Sequence, residues 1–159
     1  MDSVIYEDSP YSSDRQNGAV WTVMFLFIII TLYCVYTVNF IGAIGGFAAV
    51  VIIGCYHWVL FPRKYQVLDS KLRIVLGGPF YRDIPFDNLE IAGQPTRKQW
   101  FLGTSLGFGI YSDEHSVQIV QKKSRLLPRI NISPSAREKF LEQLNKAQND
   151  WRTKNSQEH

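Results

Sequence analysis

The sequence has a long stretch without any charged side chain. The 47 residues between Arg15 and Arg63 contain no Asp, Glu, Lys or Arg, and the only two cysteines, Cys34 and Cys55, lie within that stretch. So few cysteines exclude a disulfide-rich secreted scaffold, and the uncharged stretch excludes a simple soluble globule. An aromatic content of 14% excludes a chain that is disordered throughout. The class that remains is a small membrane-anchored protein with one water-exposed domain.

The uncharged stretch predicts a transmembrane hairpin over residues 19–61. As one helix this segment would be about 65 Å long, roughly twice the thickness of a hydrocarbon core of about 30 Å. A break is predicted at Val38-Asn39-Phe40, because asparagine favours turns. The two predicted spans are Ala19–Val38 and Phe40–Phe61, and the alternative is one span followed by a re-entrant or buried segment.

The charges beside the spans predict that both termini are cytoplasmic. Residues 1–18 carry one basic and four acidic side chains, whereas residues 63–159 carry sixteen basic and ten acidic ones. Positive charge next to a span stays on the cytoplasmic side. We therefore expect a multi-pass protein of the cytoplasmic (inner) membrane, with residues 1–18 as a flexible cytoplasmic tail and residues 152–159 as a frayed one.

Small residues recur on one face of the second predicted span. Gly42, Gly46 and Gly54 are separated by multiples of four, a spacing that lets two helix backbones approach closely in lipid. This pattern predicts packing against the first span, and homodimerisation through Gly42 and Gly46 is the alternative. His57 stands beside Trp58 near the end of the span and is interpreted as an anchor at the membrane interface.

Beyond Pro62 the apolar residues alternate with polar ones, the pattern of half-buried antiparallel strands. The predicted strands are Lys64–Leu68, Leu72–Leu76, Tyr81–Ile84, Leu89–Ala92, Gly107–Tyr111, Ser116–Gln121 and Arg129–Ile132. Ser133-Pro134 then has the composition of a helix start. Apolar residues at intervals of three and four predict an amphipathic helix from Pro134 to Asp150.

Three segments of this domain resemble a known family. Tyr65–Ile74, Arg82–Leu89 with its Ile-Pro and acidic turn, and Ile130–Ser135 followed by Phe140 are similar to the bacterial pleckstrin-homology-like (PH-like) domains. The resemblance covers Lys64–Ala147, and a preceding two-span hairpin is also common in that family. It implies an α+β fold, in which residues 63–151 form a seven-stranded antiparallel, partly open barrel capped by a C-terminal helix. It implies a binding platform rather than a reaction.

The domain supplies no arrangement suited to catalysis. His115 lies in a predicted turn beside acidic residues, and no cysteine is present beyond Cys55 to act as a nucleophile or metal ligand. The glycine-rich segment 103–109 lacks the lysine of a phosphate-binding loop. We therefore expect no enzymatic activity, no cofactor and no metal site.

Two basic groups are candidate contact surfaces. They are Arg97 and Lys98 with the aromatic Trp100 and Phe101, and Lys122, Lys123, Arg125 and Arg129. The favoured interpretation is a membrane-anchored, cytoplasm-facing interaction or scaffold module that binds a protein or peptide partner. The alternative is a sensor of anionic lipid that uses the basic and aromatic loop, where each Lys or Arg contributes about 1 kcal/mol. Ordinary solubility charge, with the aromatic pair packed into the barrel, is a third interpretation. Nucleic-acid binding is not expected, because acidic residues interrupt the basic ones.

Overall fold

The structure is a computed structural model, and it describes residues 3–11, 14–97, 105–109, 111–123 and 128–157. The chain divides into two compact units. One unit comprises Met1–Tyr11 together with Pro62–His159, and the other comprises Ser12–Phe61. We call them the sheet unit and the helical unit.

The helical unit is a pair of packed helices. α1 covers Asp14–Tyr36 and α2 covers Phe40–Cys55, which continues as a π-helical turn over Tyr56–Leu60. The predicted break between them is confirmed. At the break Val38 adopts a positive φ of 57°, and the Asn39 side chain accepts a hydrogen bond of 3.1 Å from the Gly42 amide, which caps α2.

The two helices differ in the length of their apolar stretches, which determines whether they could span a membrane. Among the described residues, one helix, Phe40–Val59, is long and apolar enough to span a bilayer. The apolar stretch of the other, Trp21–Tyr36, is shorter than a span. Length and composition therefore identify one candidate span where the sequence analysis predicted two.

The first sheet of the sheet unit has the strand order β1-β2-β3-β4, with all neighbours antiparallel. Its strands are Val4–Asp8, Lys64–Leu68, Lys71–Val75 and Tyr81–Pro85. The prediction that residues 1–18 form a flexible tail is wrong for β1, which pairs along β2 from Val4↔Leu68 to Asp8↔Tyr65. The β-branched and aromatic residues of β1 favour a strand, and a partner far along the chain supplies the hydrogen bonds.

The second sheet has the order β5-β7-β8-β6. Its strands are Leu89–Gly93 (β5), Ser105–Phe108 (β6), Val117–Gln121 (β7) and Arg129–Ile132 (β8). The prediction of an entirely antiparallel domain is wrong here, because β6 runs parallel to β8. The reason is topological: β8 lies between β6 and β7, which are consecutive in the chain. The described strands thus form two four-stranded sheets rather than a single set of seven.

The C-terminal helix α3 covers Arg137–Gln157, so the predicted frayed tail after residue 151 is helical as far as Gln157. Phe140, Leu144 and Ala147 belong to one buried core cluster that also contains residues of both sheets. The Gln148 side-chain amide donates to the main-chain oxygens of Phe86 and Leu89, at 3.2 and 2.9 Å. The helix therefore closes the core, and the buried Gln148 amide has hydrogen-bond acceptors on the backbone.

The segment after β1 fastens this unit together. Pro10 forms an antiparallel bridge with Pro134, and the Tyr11 amide donates to the Ser133 oxygen at 2.6 Å. The Asp8 carboxylate accepts from the Ala136 amide at 3.0 Å, one residue before α3 begins. A carboxylate at this position caps the helix entrance and complements the helix dipole. The N-terminal residues thus connect the first sheet to the start of α3.

Candidate interaction surfaces

A ladder of charged side chains crosses the exposed face of the first sheet. It begins at Glu7 on β1, which accepts from Lys64 Nζ at 2.7 Å and from Gln66 Nε2 at 2.8 Å. These bonds hold the pKa of the Glu7 carboxyl below its ordinary value, the bond from Lys64 acting most. The ladder places polar groups where alternating strand positions point to water.

The centre of this ladder is a bidentate ion pair. Arg73 donates from Nε and Nη2 to the two carboxylate oxygens of Asp83, at 2.7 and 2.9 Å, and Lys71 adds a contact of 2.9 Å. The Asp83 side chain is 25% exposed. Hydrogen bonding from Arg73 lowers the pKa of Asp83, while partial burial opposes the shift. Such a fork-to-fork pair is stronger than an ordinary surface ion pair because two parallel bonds fix its geometry. The guanidinium also lies 4.4 Å from the centre of the Tyr81 ring.

A buried tyrosine joins the two sheets. Tyr65 of β2 is fully buried, and its hydroxyl donates to the Phe108 oxygen at 2.8 Å and accepts from the Ser133 amide at 3.3 Å. Burial raises the pKa of this phenol above its ordinary value. Gly109 has a φ of 115°, and a Cβ there would lie 2.9 Å from the tyrosine oxygen. These atoms are structural, since they face the core rather than a cleft.

Two of the four residues of the second predicted basic group form ion pairs within the chain. Lys123 forms an ion pair of 2.5 Å with Asp87 and lowers the pKa of that carboxyl, and Lys122 lies 3.8 Å from Glu90. Arg129 is exposed at the first position of β8. Arg125 lies outside the described residues. The turn after β7 therefore carries less unbalanced positive charge than its sequence indicates.

The first predicted basic group falls mostly outside the described residues. Lys98, Trp100 and Phe101 lie there, and of this group only Arg97 is described, as an exposed residue.

The glycines of α2 have different surroundings. Gly46 is buried, and a Cβ built on it would lie 2.3 Å from Thr31 Oγ1 of α1. A Cβ on Gly42 would lie 2.8 Å from Cys34 Sγ, which also belongs to α1, whereas one on Gly54 would meet no atom of the described residues within 4 Å. Gly42 and Gly46 thus lie in the contact between α1 and α2, and Gly54 does not.

An open cleft of about 420 Å³ lies beside the start of α3. It is lined by Glu114, His115, Ala136, Arg137, Glu138 and Lys139. The His115 ring stacks on Tyr11 at 4.1 Å between centroids. The lining mixes both signs of charge, so the cleft has no single electrostatic preference. Within the described residues, no group of three or more His, Cys, Asp and Glu side chains is arranged to hold a metal ion.

One surface feature was not selected from the sequence. The turn between β3 and β4, residues 76–80, is closed by a bond of 2.9 Å from the Leu76 amide to the Phe80 oxygen, and Gly78 within it has a φ of 67°. Phe80 and Tyr81 are 53% and 59% exposed. The sequence signal for this feature is a pair of adjacent aromatic residues that directly follow a glycine- and proline-containing segment.

Comparisons of the chain with protein-family models, with curated proteins and with solved structures found no match in any of the three. The assignment of function therefore depends on the geometry described above.

Proposed function

We propose that this protein is a membrane-anchored interaction module. In it α1 and α2 cross the bilayer as a hairpin and hold a PH-like sheet unit at the cytoplasmic face, where the unit binds a protein or peptide partner. The observation that carries the anchoring is the pairing of β1 with β2, because these strands flank the helical unit in the chain.

This pairing constrains the membrane topology. β1 and β2 are hydrogen-bonded neighbours in one sheet, so they lie on the same side of any membrane. The chain between Asp8 and Lys64 must then cross the bilayer an even number of times. Phe40–Val59 is long and apolar enough to cross once, and if it crosses, an even count requires a second crossing. α1 is the element available for it.

The dimensions of α1 permit that crossing. The helix has 23 residues, about 35 Å at 1.5 Å per residue, so its whole length exceeds a hydrocarbon core of about 30 Å, while its apolar stretch Trp21–Tyr36 covers about 24 Å of it. Asp14 and Arg15 are the first two residues of this helix. Thr22 and Thr31, the threonines of its interior, donate to main-chain oxygens four residues earlier, at 2.8 and 2.7 Å. Their hydroxyls are therefore satisfied within the helix, as lipid requires.

The PH-like assignment of the sheet unit is supported by its element order. Seven strands, β2–β8, follow the helical unit among the described residues, and α3 then closes the core. The added strand β1 and the parallel pairing of β6 with β8 are departures from the antiparallel barrel that the resemblance implies.

Partner binding is supported by the outer edge of the first sheet. β1 is an edge strand, and its Val4 and Ile5 are 52% and 47% exposed. An edge strand offers main-chain groups to which an extended peptide can add, while exposed side chains provide specificity. The alternative, recognition of anionic lipid by the basic groups, is weakened for Lys122 and Lys123 by their ion pairs.

The anchoring is tested with single cysteines at Ser3 and Ser156, in a background where Cys34 and Cys55 are alanine. Both positions are described and exposed. We expect no labelling of either by an impermeant maleimide in intact cells, labelling of both after permeabilisation, and retention of the protein in membranes at alkaline pH. Labelling of one position alone in intact cells would contradict the even number of crossings, and extraction at alkaline pH would contradict the anchor.

A further inference from the structure

The register of the first sheet places its exposed aromatic turn at one particular end. Asp8, the last residue of β1, pairs with Tyr65 at the beginning of β2. At the same end Lys64 pairs with Val75, and Val75 pairs with Tyr81. The turn of residues 76–80 therefore lies at the end of the sheet where β1 finishes and β2 starts. We call this the tethered end.

One chain connection to the helical unit leaves directly from the tethered end. Arg63 is the fourth residue after Val59, where the candidate span ends, whereas on the other side residues 9–11 continue beyond β1 along Ser133 and Pro134 within the sheet unit. Four residues reach at most about 14 Å. The Arg63 amide donates to the Val75 oxygen at 2.7 Å, which fixes the start of the turn beside this short tether.

The exposed apolar residues of the sheet unit are aliphatic on β1 and aromatic at the tethered end. Among the described residues, the large hydrophobic side chains exposed in this unit are Val4, Ile5, Phe80 and Tyr81. Val4 pairs with Leu68 at the end opposite the tether. The two aromatics lie at the tethered end, at the level of Arg63 and of Lys64, whose ammonium group is paired with Glu7 at 2.7 Å. Aromatic rings beside basic residues are the composition of the membrane–water interface.

From this geometry we propose that the β3–β4 turn inserts Phe80 into the interfacial layer of the bilayer and that Tyr81 lies at the headgroup level. The turn is then a second membrane contact, independent of the helices, which fixes the orientation of the sheet unit on the surface. This inference rests on the proposed anchoring. It assigns the lipid contact to a turn outside both basic groups identified from the sequence.

The test uses the full-length protein in nanodiscs of phosphatidylcholine and phosphatidylglycerol at a ratio of 3:1. In the background lacking Cys34 and Cys55, an environment-sensitive fluorophore is attached at Phe80→Cys. Ser70→Cys is the matched control, since Ser70 lies in the β2–β3 turn at the opposite end of the same sheet. We expect roughly twofold or greater quenching of the fluorophore at position 80 by lipids spin-labelled near the headgroup, as for a group buried 5–10 Å into the interface. At position 70 we expect none.

Three outcomes would overturn the inference. Equal quenching at positions 80 and 70 would show that the turn has no privileged lipid contact. Access of aqueous iodide to position 80 in nanodiscs, but protection in native membranes, would assign the turn to a protein partner instead. Extraction of the protein at alkaline pH would remove the anchoring itself. The last outcome tests the proposed function, whereas the first two leave it intact, so the two failures are distinguishable.

Discussion

The helical unit exposes large apolar side chains, whereas the sheet unit buries side chains of the same kind. In the helical unit Phe25, Leu32 and Ile44 are at least 63% exposed, and Gly46 is the buried residue of α2. In the sheet unit Ile74 and Phe140 are fully buried, and charged side chains occupy the surface. A large exposed apolar surface indicates contact with another apolar phase or partner. The two units are therefore built for different surroundings, although they are parts of one chain.

The largest effect that separates the units should come from a charge in the core of the sheet unit. Leu144 of α3 is fully buried, so Leu144→Asp places an uncompensated carboxylate there and should destabilise this unit by roughly 3 to 5 kcal/mol. Near-UV circular dichroism of the full-length protein in detergent during urea unfolding measures the loss. Lys146→Asp, on the exposed side of the same helix, is the control. An unchanged transition for Leu144→Asp would mean that α3 does not close the core.

A smaller effect should distinguish two adjacent glycines of the helical unit. Gly46→Ala would bring Cβ against Thr31 Oγ1, whereas Gly45→Ala meets no atom within 4 Å. The first should weaken the α1–α2 contact by about 1 to 3 kcal/mol, because the Thr31 hydroxyl is already bonded to the Phe27 oxygen. The second should be neutral or stabilising, since alanine favours the helix.

Unfolding of the full-length protein by sodium dodecyl sulfate in mixed micelles measures both glycine variants. If Gly46→Ala and Gly45→Ala behaved alike, the packing of α2 on α1 at Gly46 would be wrong. The second helix would then have to present this face to lipid or to a second copy of the chain.

The smallest effect concerns the charged face of the first sheet. Asp83→Asn removes the bidentate acceptor of Arg73 and should destabilise the sheet unit by about 1 to 2 kcal/mol at neutral pH. The pKa of Asp83 is lowered in the folded protein, so its stabilisation is complete above the unfolded pKa of about 4 and is lost as the pH falls through the lower folded value. Urea unfolding at pH 7 and at successively lower pH, below 4, should show the wild-type advantage over Asp83→Asn disappearing. An advantage that did not change with pH would mean that the pair contributes through packing rather than charge.

The strands that were predicted well carry local signals. β2 and β8 begin and end at the predicted residues. Each strand has alternating apolar residues and a local signal at its end: Asp69-Ser70 forms a turn after β2, and Ser133-Pro134 ends β8. β1 was missed since its Val-Ile-Tyr core is flanked by acidic, serine and proline residues, and its partner strand is more than fifty positions later. Strand pairing over that separation has no signature in either segment alone.

The candidate surfaces were less predictable than the fold for a related reason. Lys122 and Lys123 look like an unbalanced basic pair in the sequence, but Asp87, in the turn before β5, and Glu90, on β5, lie beside them. The sequence does not single out the aromatic turn at Phe80, because its position at the tethered end depends on the register of three strand pairs. Surface chemistry is determined by which distant segments become neighbours, and that information enters only with the topology.

The early position of β1 in the chain has a consequence for biogenesis. β1 is synthesised before the two helices, yet it has no partner until Lys64–Leu68 has followed them. Closing a flexible loop of that length would cost roughly 3 to 4 kcal/mol in chain entropy, and pairing of the two intervening helices reduces that cost by shortening the free chain. Completion of the first sheet is thereby coupled to assembly of the helical pair. A nascent chain whose helices fail to pair would keep the edge of β2 open, and this unfilled edge would mark the molecule for the chaperones and proteases that recognise incomplete folding.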